Sequence, residues 1–249
     1  MIWWYSTSSV ENGYYEQAQK IEQMIVTIVT SLTVVTMPRM AFLFKNNKLI
    51  QMKERLNLSL QFILFLSLPM CIGLVAIADN FIPLFLGDGF EGVVPVIKIF
   101  SLLIVIVGLN NAVGKQVLMA ISRQRYYNIS VIIGAILNVI LNFILIPNLF
   151  SIGAAIASVF AEFTILVLFS YFSRDYLFFS KFCKELFKYL FASLFMYFVI
   201  NLIKFEVSWK LIIFQITCGI VIYITILLLL QDSLLKDGFT KIRNRALRK

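Results

Sequence analysis

Residues 128–172 read "NISVIIGAILNVILNFILIPNLFSIGAAIASVFAEFTILVLFSYF", with one carboxylate, Glu162, and no basic residue. A helix that spans a bilayer needs about 20 mostly apolar residues. The stretch holds two such runs, 128–146 and 152–172, on either side of Pro147 and Asn148. In hydrocarbon every backbone N–H and C=O must be bonded internally, which leaves helices or closed barrels. Alternation of apolar and polar residues at period two is absent, so a barrel is disfavoured. The stretch predicts two transmembrane helices in succession.

The same ruler applied outward predicts about seven spans, at 21–44, 56–78, 93–114, 128–146, 152–172, 186–203 and 211–230. The composition agrees: 60% hydrophobic and 14% charged residues, where soluble domains carry roughly 45–50% and about 25%. An all-α integral membrane protein follows. When the 22 Lys and Arg residues are assigned to alternate sides of these spans, eighteen share one side, and Lys20, Lys98, Lys204 and Lys210 hold the other. Basic residues concentrate in cytoplasmic loops, so the bias predicts a cytoplasmic C-terminus in a multi-pass protein. It also accounts for the net charge of +9 without nucleic acid. The tail "KIRNRALRK" is expected to lie against anionic headgroups. With no histidine and three cysteines in or beside apolar runs, there is no pattern for a metal site, and no cofactor is expected.

Ahead of the first span lies "TSSVENGYYEQAQKIEQM", residues 7–24, read as a polar external loop. Before it, "MIWWYS" lacks the basic and apolar regions of a signal peptide. Its aromatic residues suit the membrane interface, as the outer end of a preceding helix. This divides the chain into residues 1–20, the end of a preceding helix plus an external loop; 21–173, a five-helix core; 174–231, a cytoplasmic loop and two further helices; and 232–249, a basic cytoplasmic tail.

Five segments in order, "STSSVENGYYEQAQKI", "TVVTMPRMAFLF", "LPMCIGLVAIADNFIPLFLGDGFEGVVPVIKI", "GLNNAVGKQVLMAISRQRYYNISVIIGAILNVILNFILIP" and "GAAIASVFAE", resemble the polysaccharide repeat-unit flippases. These are the capsule and O-antigen exporters of the multidrug/oligosaccharidyl-lipid/polysaccharide transporter superfamily. The resemblance covers about residues 6–175. It implies the C-terminal lobe of a two-lobed flippase fold, because in that family the polar segment ending in Tyr-Tyr opens the second half. It further implies a bacterial cytoplasmic membrane protein that moves undecaprenyl-diphosphate-linked oligosaccharide and is not an enzyme. Its partner would be the missing N-terminal half or a second copy.

A carrier for a large, anionic, sugar-rich headgroup needs a polar and partly cationic cavity, since exposed polar groups in hydrocarbon cost several kcal/mol. In the fourth span Gly134, Asn138 and Asn142 share a stripe at spacing four, fit either for helix packing or for sugar contact. In the fifth, Glu162 lies near the midplane below Ala154 and Ser158, where a carboxylate serves a coupling proton or sodium ion or a structural hydrogen bond. Lys98 and Lys115 lie near one face of the third span, beside Asn110 and Asn111. Lys98 either reaches for headgroups or attracts the diphosphate. Arg39, after the helix-limiting Pro38, has the same two uses. Arg39, Lys98, Lys115, Asn138, Asn142 and Glu162 are therefore the candidate cavity residues. Thr27, Thr30, Thr33 and Thr36 form a stripe suited to bonding their own backbone. Pro69 marks an expected kink, and "FLGDGFEG" an outer turn. The alternative functions are a cation-coupled drug exporter of the same superfamily and a membrane-embedded polymerase or glycosyltransferase. The second would need large external loops or paired carboxylates, which the sequence does not show.

Overall fold

The long apolar stretches are helices, and the polar punctuation between them is reduced to short turns. The computed structural model describes residues 9–202 and 208–236, and among the described residues there is no strand. Six helices follow in order: α1 Ser9–Lys45, α2 Leu49–Leu86, α3 Val93–Asn110, α4 Gln124–Phe172, α5 Phe179–Leu202 and α6 Trp209–Leu229. A π-helical segment, Asn111–Met119, continues α3, and a single 3-10 turn, Arg174–Tyr176, precedes α5.

Three expectations change here. From Ser9 onward the polar stretch at 7–24 is the first turns of α1 and not a loop. Its polar residues recur at helical spacing, and an i,i+4 ion pair, Glu16 to Lys20 (2.8 Å), lies along the exposed side. Pro38 does not end α1, which runs to Lys45. The helix instead bends by 41° between its stretches Val10–Ser31 and Val35–Lys45, because proline lacks the N–H that would bond the carbonyl four residues back and its ring crowds that turn. Residues 232–236, expected as the start of the basic tail, dock onto the bundle through Asp232, which is 1% exposed. The "MIWWYS" segment, residues 203–207 and the tail "KIRNRALRK" lie outside the described residues.

At about 1.5 Å per residue, the 49 residues of α4 would measure roughly 74 Å, more than twice a hydrocarbon core of about 30 Å. The helix folds back at Phe150, whose backbone sits at φ 48°, ψ −125°. Its arms, 124–149 and 151–172, run antiparallel. Gly134 lies against Ile165 and Ala161, and a Cβ on Gly153 would come within 2.6 Å of the Leu145 carbonyl oxygen. The two apolar runs of the sequence are these two arms, and close approach of small residues is what holds such a hairpin where hydrophobicity cannot.

α2 and α3 form the centre, with Ile63, Leu64, Ile97 and Ile104 fully buried. α1 and α4 pack on α3, α5 packs on α2, and α6 packs on α5 and α2. Large apolar side chains face outward from the first arm of α4 and from α5 and α6, among them Ile132, Ile136, Phe187, Phe198 and Ile213. That surface suits hydrocarbon and not water. At one end of the bundle Gly87 (φ 87°) and Gly89 (φ 90°) turn α2 toward α3, and Tyr14 Oη donates to the Gly89 carbonyl at 3.2 Å. At the other end Asp232 ties the turn after α6 to α5: it pairs with Lys188, accepts from Tyr189 Oη at 2.8 Å, and caps the N–H groups of Leu234 and Leu235.

Candidate functional site

A cavity of about 690 Å³ lies between α1, α3 and both arms of α4. α1 contributes Tyr15, Gln19, Glu22, Gln23 and Thr27, spaced by threes and fours so that they share one helical face. The first arm of α4 adds Gly134 and Asn138, and the second adds Ser158 and Glu162, again at spacing four. The threonines behave as expected, since Thr27 and Thr30 donate to the carbonyls of Gln23 (2.7 Å) and Val26 (2.9 Å). Thr27 nonetheless also faces the cavity.

Depth follows from one contact at the end of the bundle. The Glu11 carboxylate accepts from the Ser151 hydroxyl at 2.6 Å and from its N–H at 3.2 Å, which levels these two residues. Glu22 and Glu162 each come eleven positions later along helices that run the same way. Both therefore sit about 16 Å further in, near the middle of a core about 30 Å thick.

Glu162 is held in place. Asn110 Nδ2 donates to its Oε2 at 2.7 Å and to its backbone oxygen at 3.0 Å. Asn110 is the last residue of α3 before the helix widens into the π-helical segment, a distortion that tends to accompany functional sites. Above it, the Tyr15 and Ser158 hydroxyls are 3.1 Å apart. Glu22 is 6% exposed, faces the same cavity, and receives no hydrogen bond from the described residues. Two carboxylates thus share one intramembrane cavity that no Lys or Arg lines. Two ionised carboxylates in one desolvated space repel, and a cation between them would offset that repulsion.

The structure divides the sequence candidates. Asn138 and Glu162 line the cavity, and Asn142 donates to Asn138 Oδ1 at 2.9 Å one turn away. The three cations, Arg39, Lys98 and Lys115, do not line this cavity. Lys98 forms an ion pair with Asp79 at 2.7 and 2.8 Å near the α2–α3 turn, Arg39 is exposed on α1 beyond its bend, and Lys115 lies in the π-helical segment. Glu22, Tyr15 and Gln19 were not singled out from sequence. Their spacing of 15, 19 and 22 is the signal in the sequence, and a helix start at residue 21 hides it.

A family model described as polysaccharide biosynthesis protein matches residues 3–95. No curated protein matches the chain. Among solved structures, the chain is similar to a lipid II flippase, MurJ, in an inward closed conformation. The TM-score is 0.78 at 22% identity, over 90% of this chain and 48% of the other. The chain spans about half the length of that structure. The likeness is one of fold: an all-helical, multi-pass membrane bundle. With the family model it supports the resemblance read from the sequence.

Proposed function

We propose that this chain forms one lobe of a transporter that flips lipid-linked oligosaccharide repeat units across the bacterial cytoplasmic membrane by alternating access, for surface polysaccharide such as capsule. The lipid carrier in this reading is undecaprenyl diphosphate. The second lobe is an N-terminal half or another copy, since the flippase that shares this fold is about twice as long. The observation that carries the proposal is the cavity at mid-membrane depth lined by Glu22 from α1 and Glu162 from the second arm of α4. A structural core has no use for two carboxylates there, and an intramembrane ionisable group marks an ion or substrate path.

In this reading the carboxylates do not hold the diphosphate, which they would repel. They take up a coupling proton or sodium ion. With both ionised, repulsion keeps α1 and the second arm of α4 apart; with a cation bound, the two can close on each other. A ligand shifts such an equilibrium only by its differential affinity for the two states, and charge neutralisation provides that difference. The anionic headgroup then travels between the two lobes. The same acidic cavity also fits a second reading, a cation-coupled exporter of organic cations.

The test is complementation in a strain lacking its own repeat-unit flippase, with the transporter that contains this chain. Restored surface polysaccharide, with loss of accumulated lipid-linked repeat unit, is the expected result. Glu22→Gln and Glu162→Gln are expected to abolish it at unchanged membrane abundance. Drug resistance without polysaccharide export would transfer the assignment to the exporter, and neither phenotype would overturn both.

A further inference from the structure

A second cavity, about 320 Å³, lies on other faces of α3 and of the second arm of α4. Leu109, Val113, Phe163, Leu166, Phe179 and Phe182 define it, and Ser170 is its one polar side chain. Along α3 and its π-helical continuation it reaches from Val105 to Val113, about 12 Å at roughly 1.5 Å per residue, close to the depth of one leaflet of a core about 30 Å thick. An apolar groove in a membrane is filled by hydrocarbon chains, but hydrocarbon alone gives no preference for one lipid over another, because lipid tails are as apolar as leucine.

The preference comes from the groove's mouth. Leu177 and Phe179, both lining residues, flank Phe178. The Lys53 and Lys181 ammonium groups stand 5.7 and 5.1 Å from the Phe178 ring centroid. Arg174 lies over Tyr171 at 5.2 Å, and Arg123 lies over Tyr176 at 5.9 Å while donating to the Phe172 carbonyl at 3.3 Å. None of these four cations takes part in an ion pair among the described residues. Acidic residues are few at this end: Glu54 and Asp175 beside the cations, and Glu185 and Asp232, both already paired with Lys188. A hydrocarbon groove therefore opens under a cluster of cations held in place by aromatic rings.

We infer that the groove holds one acyl chain of an anionic phospholipid from the leaflet on that side, with its phosphate beside Lys53 and Lys181. The bound lipid fills the space between the five-passage core and α5, and so couples the α5–α6 pair to the bundle. This does not rest on the transport reading and is tested without it.

The full chain is purified and incorporated into nanodiscs with phosphatidylglycerol and phosphatidylcholine in graded ratios, and retained lipid is counted by native mass spectrometry. One retained phosphatidylglycerol per chain, over phosphatidylcholine, is expected. Lys53→Gln with Lys181→Gln is expected to weaken that retention about thirtyfold. Leu166→Trp, which narrows the groove and leaves the cations in place, is expected to weaken it as well. Equal retention of the two lipids by the unmodified chain overturns the inference, whatever the variants do. Displacement of phosphatidylglycerol by an equimolar polyprenyl phosphate also overturns it, and assigns the groove to a lipid-linked substrate.

Discussion

Glu162 and its partner Asn110 show what intramembrane hydrogen bonds from one side chain are for. Asn110 donates twice to the same residue, to the carboxylate and to the backbone, which fixes the rotamer of a group whose desolvation would otherwise drive it toward solvent. Asn110→Ala leaves a buried acceptor unmade, and its expected effect in thermal unfolding in detergent is a loss of about 1–2 kcal/mol. Glu162→Gln keeps an acceptor oxygen for Asn110 and should lose less. A larger loss from Glu162→Gln than from Asn110→Ala would make the carboxylate a structural member of the bundle. Glu162 was legible in the sequence because it interrupts a long apolar run that contains no other charge. Glu22 was not, because it falls at the border of an apolar run, where a carboxylate looks interfacial until the helix is seen to start at Ser9.

At the scale of the element, the docking of α5 and α6 depends on a small polar cluster at one end of the bundle. Asp232 is 1% exposed and pairs with Lys188, while its second oxygen caps the turn that follows α6. Gln61 Nε2 donates to Ser233 Oγ at 2.9 Å and ties the same turn to α2. Removing one partner of a buried pair leaves the other uncompensated, so Asp232→Ala should destabilise the protein by about 3 kcal/mol. Protease accessibility of the segment between α5 and α6 is expected to rise in parallel. Unchanged stability would mean that apolar packing alone seats the pair. The sequence announced the arms of α4 through Pro147 and the two apolar runs, but not the turn at Phe150, a non-glycine residue at positive φ. The bend of α1 and the π-helical continuation of α3 were equally hidden. The first follows from Pro38, which reads from sequence as a helix end and not as a bend, and the second leaves no periodic trace.

For the whole molecule, the charge bias and the bundle's two ends make one joint prediction. Lys53, Arg123 and Lys181 lie at the end that carries the cation cluster, and Asp88 and Asn148 at the other. Reporter fusions at the first three are expected to give cytoplasmic signals and those at Asp88 and Asn148 external ones. A cytoplasmic signal from Asp88 would reverse the orientation. The cavity itself could not be read at this scale from the sequence. Its walls come from α1, α3 and α4, the lining residues of α1 and α4 are more than a hundred positions apart in sequence, and the cations conspicuous in the sequence, Lys98 and Lys115, lie outside it.

The central claim is that the carboxylate cavity drives translocation of a lipid-linked saccharide. The most direct measurement reconstitutes the transporter containing this chain in liposomes with a fluorescent undecaprenyl-diphosphate-linked oligosaccharide, and follows its loss from the quencher-accessible leaflet under a proton or sodium gradient. Gradient-dependent translocation that Glu22→Gln and Glu162→Gln abolish is expected. Translocation at the protein-free rate, or at equal rates in the unmodified and doubly substituted transporters, would contradict it.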